Sequence, residues 1–489
     1  MLLSLTGHSY RFECENLCRV FFPYSPVRVE EGALPQNGEP WADTSIEYSG
    51  GGWLYTVSAG DGTHELSRSA SAPEQAEYPM TRLLFDVLSA LTGIRPAWGM
   101  LTGVHPVKLL RQHVERLGLE AGTADFREKW LVSGARTELA SRVLRAQRQA
   151  VEELCPDDYS LYVGIPFCPT RCAYCSFISQ DMAHAEKAVE PYLELLHLEL
   201  ERAARVAGEL GLRLVSVYIG GGTPTTLTAE QLSALCAKIR REFPMGHCRE
   251  FTVEAGRPDT LTREKLLALR EAGVGRISIN PQTMVDKVLR NIGRRHTARD
   301  VAEGFALAHS VGFTDINADL IVGLPGDSPE GFAYTLRRVL ELSPTNVTVH
   351  SLALKRSASL VTEDGDLTLH RRPEAAAAMM DHAIERLTGA GFEPYYLYRQ
   401  TRMAGNLENT GWARPGSICR YNIYTMDESG TVIACGAGGV TKLKDPGSSD
   451  LRRVFNFKYP FEYISRHGEI LERKDGIKEI YEQFRQRLH

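Results

Sequence analysis

Between Tyr159 and about residue 360, a short apolar strand followed by an amphipathic helix recurs along the chain. The strands are Leu161-Tyr-Val-Gly-Ile165, Leu214-Val-Ser-Val-Tyr-Ile219, Glu250-Phe-Thr-Val-Glu254, Arg276-Ile-Ser-Ile279, Ile316-Asn-Ala-Asp-Leu-Ile-Val322 and Asn346-Val-Thr-Val-His350. Segments with helical periodicity lie between them, near 185–208, 228–242, 261–272, 297–311 and 328–342. Strand–helix alternation implies a parallel sheet covered by helices. Six such units predict an α/β fold, a partial (β/α)6 barrel whose open side admits a large substrate. In such folds chemistry gathers at the carboxyl ends of the strands.

Just past the first strand stands Cys168-Pro-Thr-Arg-Cys172-Ala-Tyr-Cys175, with no fourth cysteine close behind. Thiolates are soft ligands that suit iron–sulfur clusters. Three of them hold three irons of a four-iron cube and leave the fourth open to a small molecule, which suits catalysis better than electron storage. Gly220-Gly-Gly-Thr-Pro224 follows the second strand. Alone, a glycine run is equally well a tight turn. Beside the cysteine loop it is a place where backbone can approach a charged ligand. Glu254, Gln282, Arg294 and Asp319 stand at or beyond strand ends. Singly, each is best read as a surface or capping side chain. Together they fit a zwitterionic sulfonium ligand, since arginine clamps a carboxylate and carboxylates accept hydroxyls or balance a cation.

The flanks are less informative. Residues 1–72 read as a β-rich N-terminal region with a turn at Gly50-Gly-Gly52, and Cys14 and Cys18 as packed thiols in strands. Residues 73–154 read as helical, with an apolar stripe from Thr81 to Leu91 and a loop at Trp98-Gly-Met-Leu-Thr-Gly103. The core barrel spans 155–360. Residues 361–489 read as an α+β C-terminal domain with a helix over 373–390, a polar loop through Gly416 and a hairpin pairing Tyr421–Met426 with Thr431–Cys435. Arg399, Arg402, Arg414 and Arg420 accompany Tyr395, Tyr396 and Tyr398; they read as solvated loop charges over packed aromatics. Lys and Arg total 56 against 61 Asp and Glu, so nothing points to nucleic acid as a partner. The start lacks the basic n-region of a signal peptide, and no apolar run has the length of a membrane span. A cytoplasmic monomer with reduced thiols is the expectation.

The ordered set Tyr162-Val-Gly-Ile-Pro-Phe-Cys168, Gly220–Pro224, Glu254, Arg276-Ile-Ser-Ile279, Gln282, Gly293-Arg-Arg-His296 and Asp319-Leu-Ile-Val-Gly-Leu-Pro-Gly326 resembles the oxygen-independent coproporphyrinogen III oxidase (dehydrogenase) family of radical S-adenosylmethionine (SAM) enzymes. The resemblance is strong over about 159–360 and weaker to about 440. The N-terminal α+β extension with Trp98–Gly103 is similar to that of the HemZ-like branch. The resemblance implies a 4Fe-4S cluster on Cys168, Cys172 and Cys175. It implies SAM contacts from Tyr162, Gly221, Gly222, Thr223, Glu254, Gln282, Arg294, Asp319 and Ala353. It singles out no separate catalytic side chain. The implied partners are a tetrapyrrole substrate and a reductant such as flavodoxin or ferredoxin. The implied reaction begins when SAM splits to a 5′-deoxyadenosyl radical, which takes a hydrogen from a propionate β-carbon. Loss of CO2 and an electron then leaves a vinyl group, and two such steps turn coproporphyrinogen III into protoporphyrinogen IX.

Some positions depart from the family pattern. Phe177 stands where the oxidases carry a further cysteine, and Gly164 where they carry histidine. After Ala413-Arg-Pro-Gly416, Tyr421-Asn422 stands where the haem-chaperone branch has His-Asn. A haem-binding, chaperone-like radical SAM protein and a radical SAM enzyme that modifies or degrades haem are the alternatives.

Overall fold

Cys14, Leu17, Cys18 and Phe21 recur at helical spacing and are all buried on a helix, Arg11–Phe21. The strand expectation for this stretch is thereby corrected: spacings of three and four put these residues on one stripe, whereas a strand would split them between two faces. The computed structural model describes residues 1–23, 25–31, 38–175, 179–353, 373–400 and 403–487. Two units form, residues 1–141 with 399–407 and residues 142–398 with 408–489. In the first unit a sheet runs in the order Arg28–Val29, Leu2–Thr6, Trp41–Ser49, Gly52–Gly60, Glu65–Ala72. Gly50 and Gly51, at φ 62° and 85°, make the hairpin turn between its two longest strands. Helix Arg11–Phe21 and helix Glu77–Thr92 share a core with that sheet through Cys14, Phe21, Tyr55, Val57, Leu84 and Leu88. The expected loop around Trp98 leads to the helix Pro106–Leu117.

In the second unit six parallel strands lie side by side: Asp158–Ile165, Arg213–Gly221, Glu250–Glu254, Arg276–Ser278, Asp315–Val322 and Asn346–Ser351. The helices Met182–Glu209, Ala229–Glu242, Arg263–Glu271, Ala298–Ser310 and Pro329–Glu341 connect them, and this is the expected partial (β/α)6 barrel. The first and sixth strands do not pair with each other; the first pairs with Thr431–Cys435 and the sixth with Asn409–Ala413, within one sheet of eleven strands. Alternation sorts the residues by face. Leu161, Val163, Val217, Ile219, Val253, Ile277, Ile316, Leu320, Val347 and Val349 are buried apolar residues. Tyr162, Tyr218, Gly220, Thr252, Glu254, Ser278, Asn317, Asp319, Thr348 and His350 occupy the alternate positions. Contacts join the alternate set: Tyr218 to Glu254 and Thr348 to Asn317 across strands, and Asn317 to Asp319 along one strand. One face of this sheet is therefore polar, which a packed apolar core would not tolerate and a polar ligand would use.

The expected hairpin after residue 416 does not form. Arg420–Met426 is a helix that buries Tyr421, Ile423 and Tyr424, and the Glu250 carboxylate accepts from the N–H groups of Arg420 and Tyr421 at 2.8 and 3.2 Å. Thr431–Cys435, buried at every residue, is an interior strand parallel to Asp158–Ile165, with Val440–Lys444 antiparallel on its other side. A continuous apolar run suits a strand covered on both faces better than one half of an exposed hairpin. The strand Asn409–Ala413 also lies where a polar loop was expected. Among the described residues no helix is long and apolar enough to cross a membrane.

Candidate functional site

The three cysteines occupy one loop between the first strand and the helix that follows. Phe167–Cys168 pairs with Gln180–Asp181, and the Cys175 N–H closes a turn onto the Cys172 carbonyl at 3.0 Å. Cys172 is buried, while Cys168 and Cys175 are partly exposed. Phe177 lies outside the described residues. The loop is stitched to the barrel: the Ala173 N–H donates to Ile292 O at 3.1 Å, and the Thr223 N–H to Phe167 O at 2.7 Å. Among the described residues no three His, Cys, Asp or Glu converge as a single-ion site requires. A cubane differs in that each thiolate binds its own iron, so its ligands stand apart around the cluster.

The glycine run approaches the same loop. Gly222 donates its N–H to Ile165 O at 2.8 Å, and a Cβ on it would lie 2.5 Å from Phe167 O. Gly221 adopts φ 112° and donates its N–H to Glu254 Oε2 at 3.2 Å. Thr223 Oγ1 donates toward Cys168 Sγ at 3.5 Å. Bulk at Gly222 would push the loop from the strand end, so glycine here serves close approach.

Glu254 ends the third strand. Its Oε1 accepts from the Tyr218 hydroxyl at 2.6 Å. Burial, with Asp319 adding repulsion, pushes its carboxyl up to about 7, against the pull of Tyr218 and Gly221. Burial also acts on Asp319, but His350, Asn317 and Thr348 outweigh it and hold that carboxyl below its ordinary range. Asn317 Nδ2 donates to Asp319 Oδ1 at 2.7 Å, and His350 Nε2 lies 3.8 Å from Oδ2. Gln282 is tied by backbone to Asp319 and Ile321, and holds φ 67°. A non-glycine residue in the left-handed region is strained, and such strain gathers at functional sites. Arg294 donates to Gly256 O, Asn280 O and the Tyr174 hydroxyl of the cysteine loop at 3.3, 2.9 and 2.9 Å. Gln282 Oε1, Arg294 Nε and Asn280 Oδ1 are buried without a hydrogen-bond partner. Buried polar atoms are rarely left so, and their gathering at one strand-end region marks a place for a polar ligand.

Tyr162 belongs to a stack of three tyrosines. Its ring centroid lies 6.4 Å from Tyr218 and 6.2 Å from Tyr421, and Tyr218 and Tyr421 are 4.4 Å apart. Ala353 follows the sixth strand and is partly buried. Arg399, Arg414 and Arg420 each engage a different partner. Arg399 belongs to the first unit, where it bonds Leu101 O at 2.5 Å; Arg414 covers Phe392, Arg420 pairs with Glu153, and Arg402 lies outside the described residues. The sequence reading missed Tyr218, Tyr174 and His350 as participants, and Arg257 with Asp259 beside Cys172. Period-two alternation was the available signal: Tyr218 shares its face with Gly220, and His350 with Thr348.

Residues 162–339 match the Radical SAM superfamily; fold and cysteine loop define a radical SAM protein. Over 486 residues the chain is 34% identical to the oxygen-independent coproporphyrinogen-III oxidase-like protein HemZ of Bacillus subtilis, covering 96% of this chain and 95% of that protein. It is 30% identical to the heme chaperone HemW of Escherichia coli, over 65% of this chain and 78% of that protein. A solved structure of coproporphyrinogen III oxidase (HemN) from Escherichia coli, described as a radical SAM enzyme, is similar with a TM-score of 0.53 at 27% identity, over 66% of this chain and 72% of that one. The chain thus belongs to the oxygen-independent coproporphyrinogen III oxidase family of radical SAM proteins, in its HemZ-like branch. The superfamily implies a 4Fe-4S cluster and SAM. Thiols on one loop suit the first, and unpartnered polar atoms beside two carboxylates suit the second.

Proposed function

We propose that this protein is a cytoplasmic radical SAM enzyme that converts propionates of coproporphyrinogen III to vinyl groups, giving protoporphyrinogen IX. The observation that carries this is the polar face of the barrel sheet ending in Glu254, Gln282 and Asp319 next to the cysteine loop. Cys168, Cys172 and Cys175 would hold the cluster. Together the cluster and SAM would supply a 5′-deoxyadenosyl radical, given an electron from a flavodoxin- or ferredoxin-like donor. The remaining work falls to the chain. Glu254 and Asp319 present negative charge to a cationic ligand. Arg294 and the Gly221–Thr223 backbone suit its carboxylate and amino ends, Gln282 offers a free acceptor, and Tyr162 and Ala353 complete the walls. Each propionate would lose CO2 and two hydrogens, one as an atom to the radical and one as a proton, while the remaining electron would pass to a one-electron acceptor, so that the tetrapyrrole is oxidised.

The enzyme reading is favoured over the haem-chaperone alternative by the place of Tyr421. Its ring is buried in the tyrosine stack, and its helix N-terminus is tied to Glu250, so it is not offered to a haem iron. The decisive test is anaerobic turnover of the reconstituted protein with coproporphyrinogen III, SAM and dithionite, with products read by mass. Protoporphyrinogen and 5′-deoxyadenosine are expected. A modified haem from added haem would establish the haem-modifying alternative, and stoichiometric haem binding without any product would establish the chaperone. Cys172→Ala should abolish both iron loading and 5′-deoxyadenosine formation.

A further inference from the structure

Arg257 takes no part in the SAM contacts proposed above, yet it sits against the cysteine loop from the turn after the third strand, and it is only 3% exposed. Its guanidinium is held from two sides. Nε and Nη2 donate to the two oxygens of Asp259 at 3.0 and 2.9 Å. Nη1 faces the loop, donating to Thr170 O at 3.3 Å, to Thr170 Oγ1 at 3.2 Å and to Cys172 Sγ at 3.7 Å. Behind Asp259 stands buried His296, its Nδ1 3.6 Å from Asp259 Oδ1. A buried guanidinium is tolerated when paired, and its planar fork can donate in two directions at once. Asp259 therefore fixes which way Arg257 points, and Arg257 spans the loop segment between the first two cysteines. Arg294 is a second guanidinium beside Cys172, and it also donates to Gly256 O, Asn280 O and the Tyr174 hydroxyl.

We propose that Arg257 is a positioning residue that staples the cysteine loop and, through its N–H toward the Cys172 sulfur, raises the reduction potential of the cluster. The inference rests on Cys168, Cys172 and Cys175 holding that cluster. Cluster potentials follow net charge and hydrogen bonds to sulfur. Reduction adds one negative charge. A guanidinium donor beside a thiolate stabilises the reduced state, and a carboxylate behind it opposes this. Arg257 and Asp259 must then act on the potential with opposite signs, which a merely structural pair would not do.

The test is a redox titration of the full-length protein, reconstituted anaerobically and followed by the paramagnetic signal of the reduced cluster. Substrate is left out. Relative to the unsubstituted protein, Arg257→Gln should lower the reduced-to-oxidised ratio at a fixed potential about tenfold, ~59 mV for a one-electron couple. Asp259→Asn should move the midpoint the other way. Unchanged midpoints, or shifts of the same sign, in variants of equal iron content would overturn the proposal. If Arg257→Gln takes up no iron, Asp259→Asn decides alone: a rise supports it, and no change or a fall overturns it. A chain that holds no cluster even unsubstituted would instead refute the cluster assignment on which it rests.

Discussion

Glu199, on the helix Met182–Glu209, receives four donors: Gly436 N at 2.7 Å, Tyr463 Oη at 2.6 Å, Asn456 Nδ2 at 2.7 Å and Lys474 Nζ at 3.0 Å. Both it and Lys474 are fully buried. Glu254, in the same unit, receives two donors, faces a second carboxylate and has its carboxyl raised to about 7. The first carboxylate has its countercharge built in and joins the C-terminal segment to the first barrel helix. The second lacks one, and the neighbouring unpartnered atoms of Gln282, Arg294 and Asn280 share that condition. A buried acid with a complete set of partners reads as architecture, and one short of partners beside other unsatisfied groups reads as a binding site.

The largest expected effect tests the architectural member. Glu199→Ala would leave the Lys474 ammonium buried without its partner, at a cost of about 3–5 kcal/mol. A large drop in the urea midpoint is expected, and an unchanged midpoint would break the comparison. Glu254→Gln should instead spare stability and lower SAM affinity about 10- to 100-fold, ~1.4–2.7 kcal/mol by calorimetry; equal affinity would remove Glu254 from the site.

The pH dependence sharpens the contrast. An acid whose folded value rises from 4.5 to about 7 keeps a proton that the unfolded chain has released. Its contribution to stability therefore falls as pH climbs from about 4.5 through about 7 and stays lowered above, by about 3 kcal/mol at most. Glu254→Gln should remove that slope, so the variant melts no lower than the unsubstituted protein at pH 8. A cationic ligand favours the ionised acid, so SAM should bind up to about tenfold more tightly at pH 8 than at pH 6, and the Gln variant should lose that trend. The smallest effect is expected of Tyr421→Phe, which keeps the stacked ring: a stability change within about 1 kcal/mol and an unaltered haem absorbance titration. A lost haem complex would reopen the chaperone alternative.

Much of the barrel was legible because its strands and helices each carry a local period. The run Asn346-Val-Thr-Val-His350 announces a strand, and Thr228 with Gln231 forms a capping box that starts the helix Ala229–Glu242. Cys168, Cys172 and Cys175 were legible because ligand spacing is a local property. The segment 420–435 was not, because short apolar runs suit either helix or strand. There the Glu250 carboxylate and the edge of the first strand decided.

Sequence alone determined the kind of chemistry: three thiols on one loop, a glycine run one strand later, and acids at strand ends. Only the tertiary structure decided which charges have a full set of partners and which do not. Residue type fixes how many hydrogen bonds a side chain can make. Whether they are made depends on groups such as Lys474 and Glu199, or Tyr218 and Glu254, meeting across strands and helices that are distant along the chain.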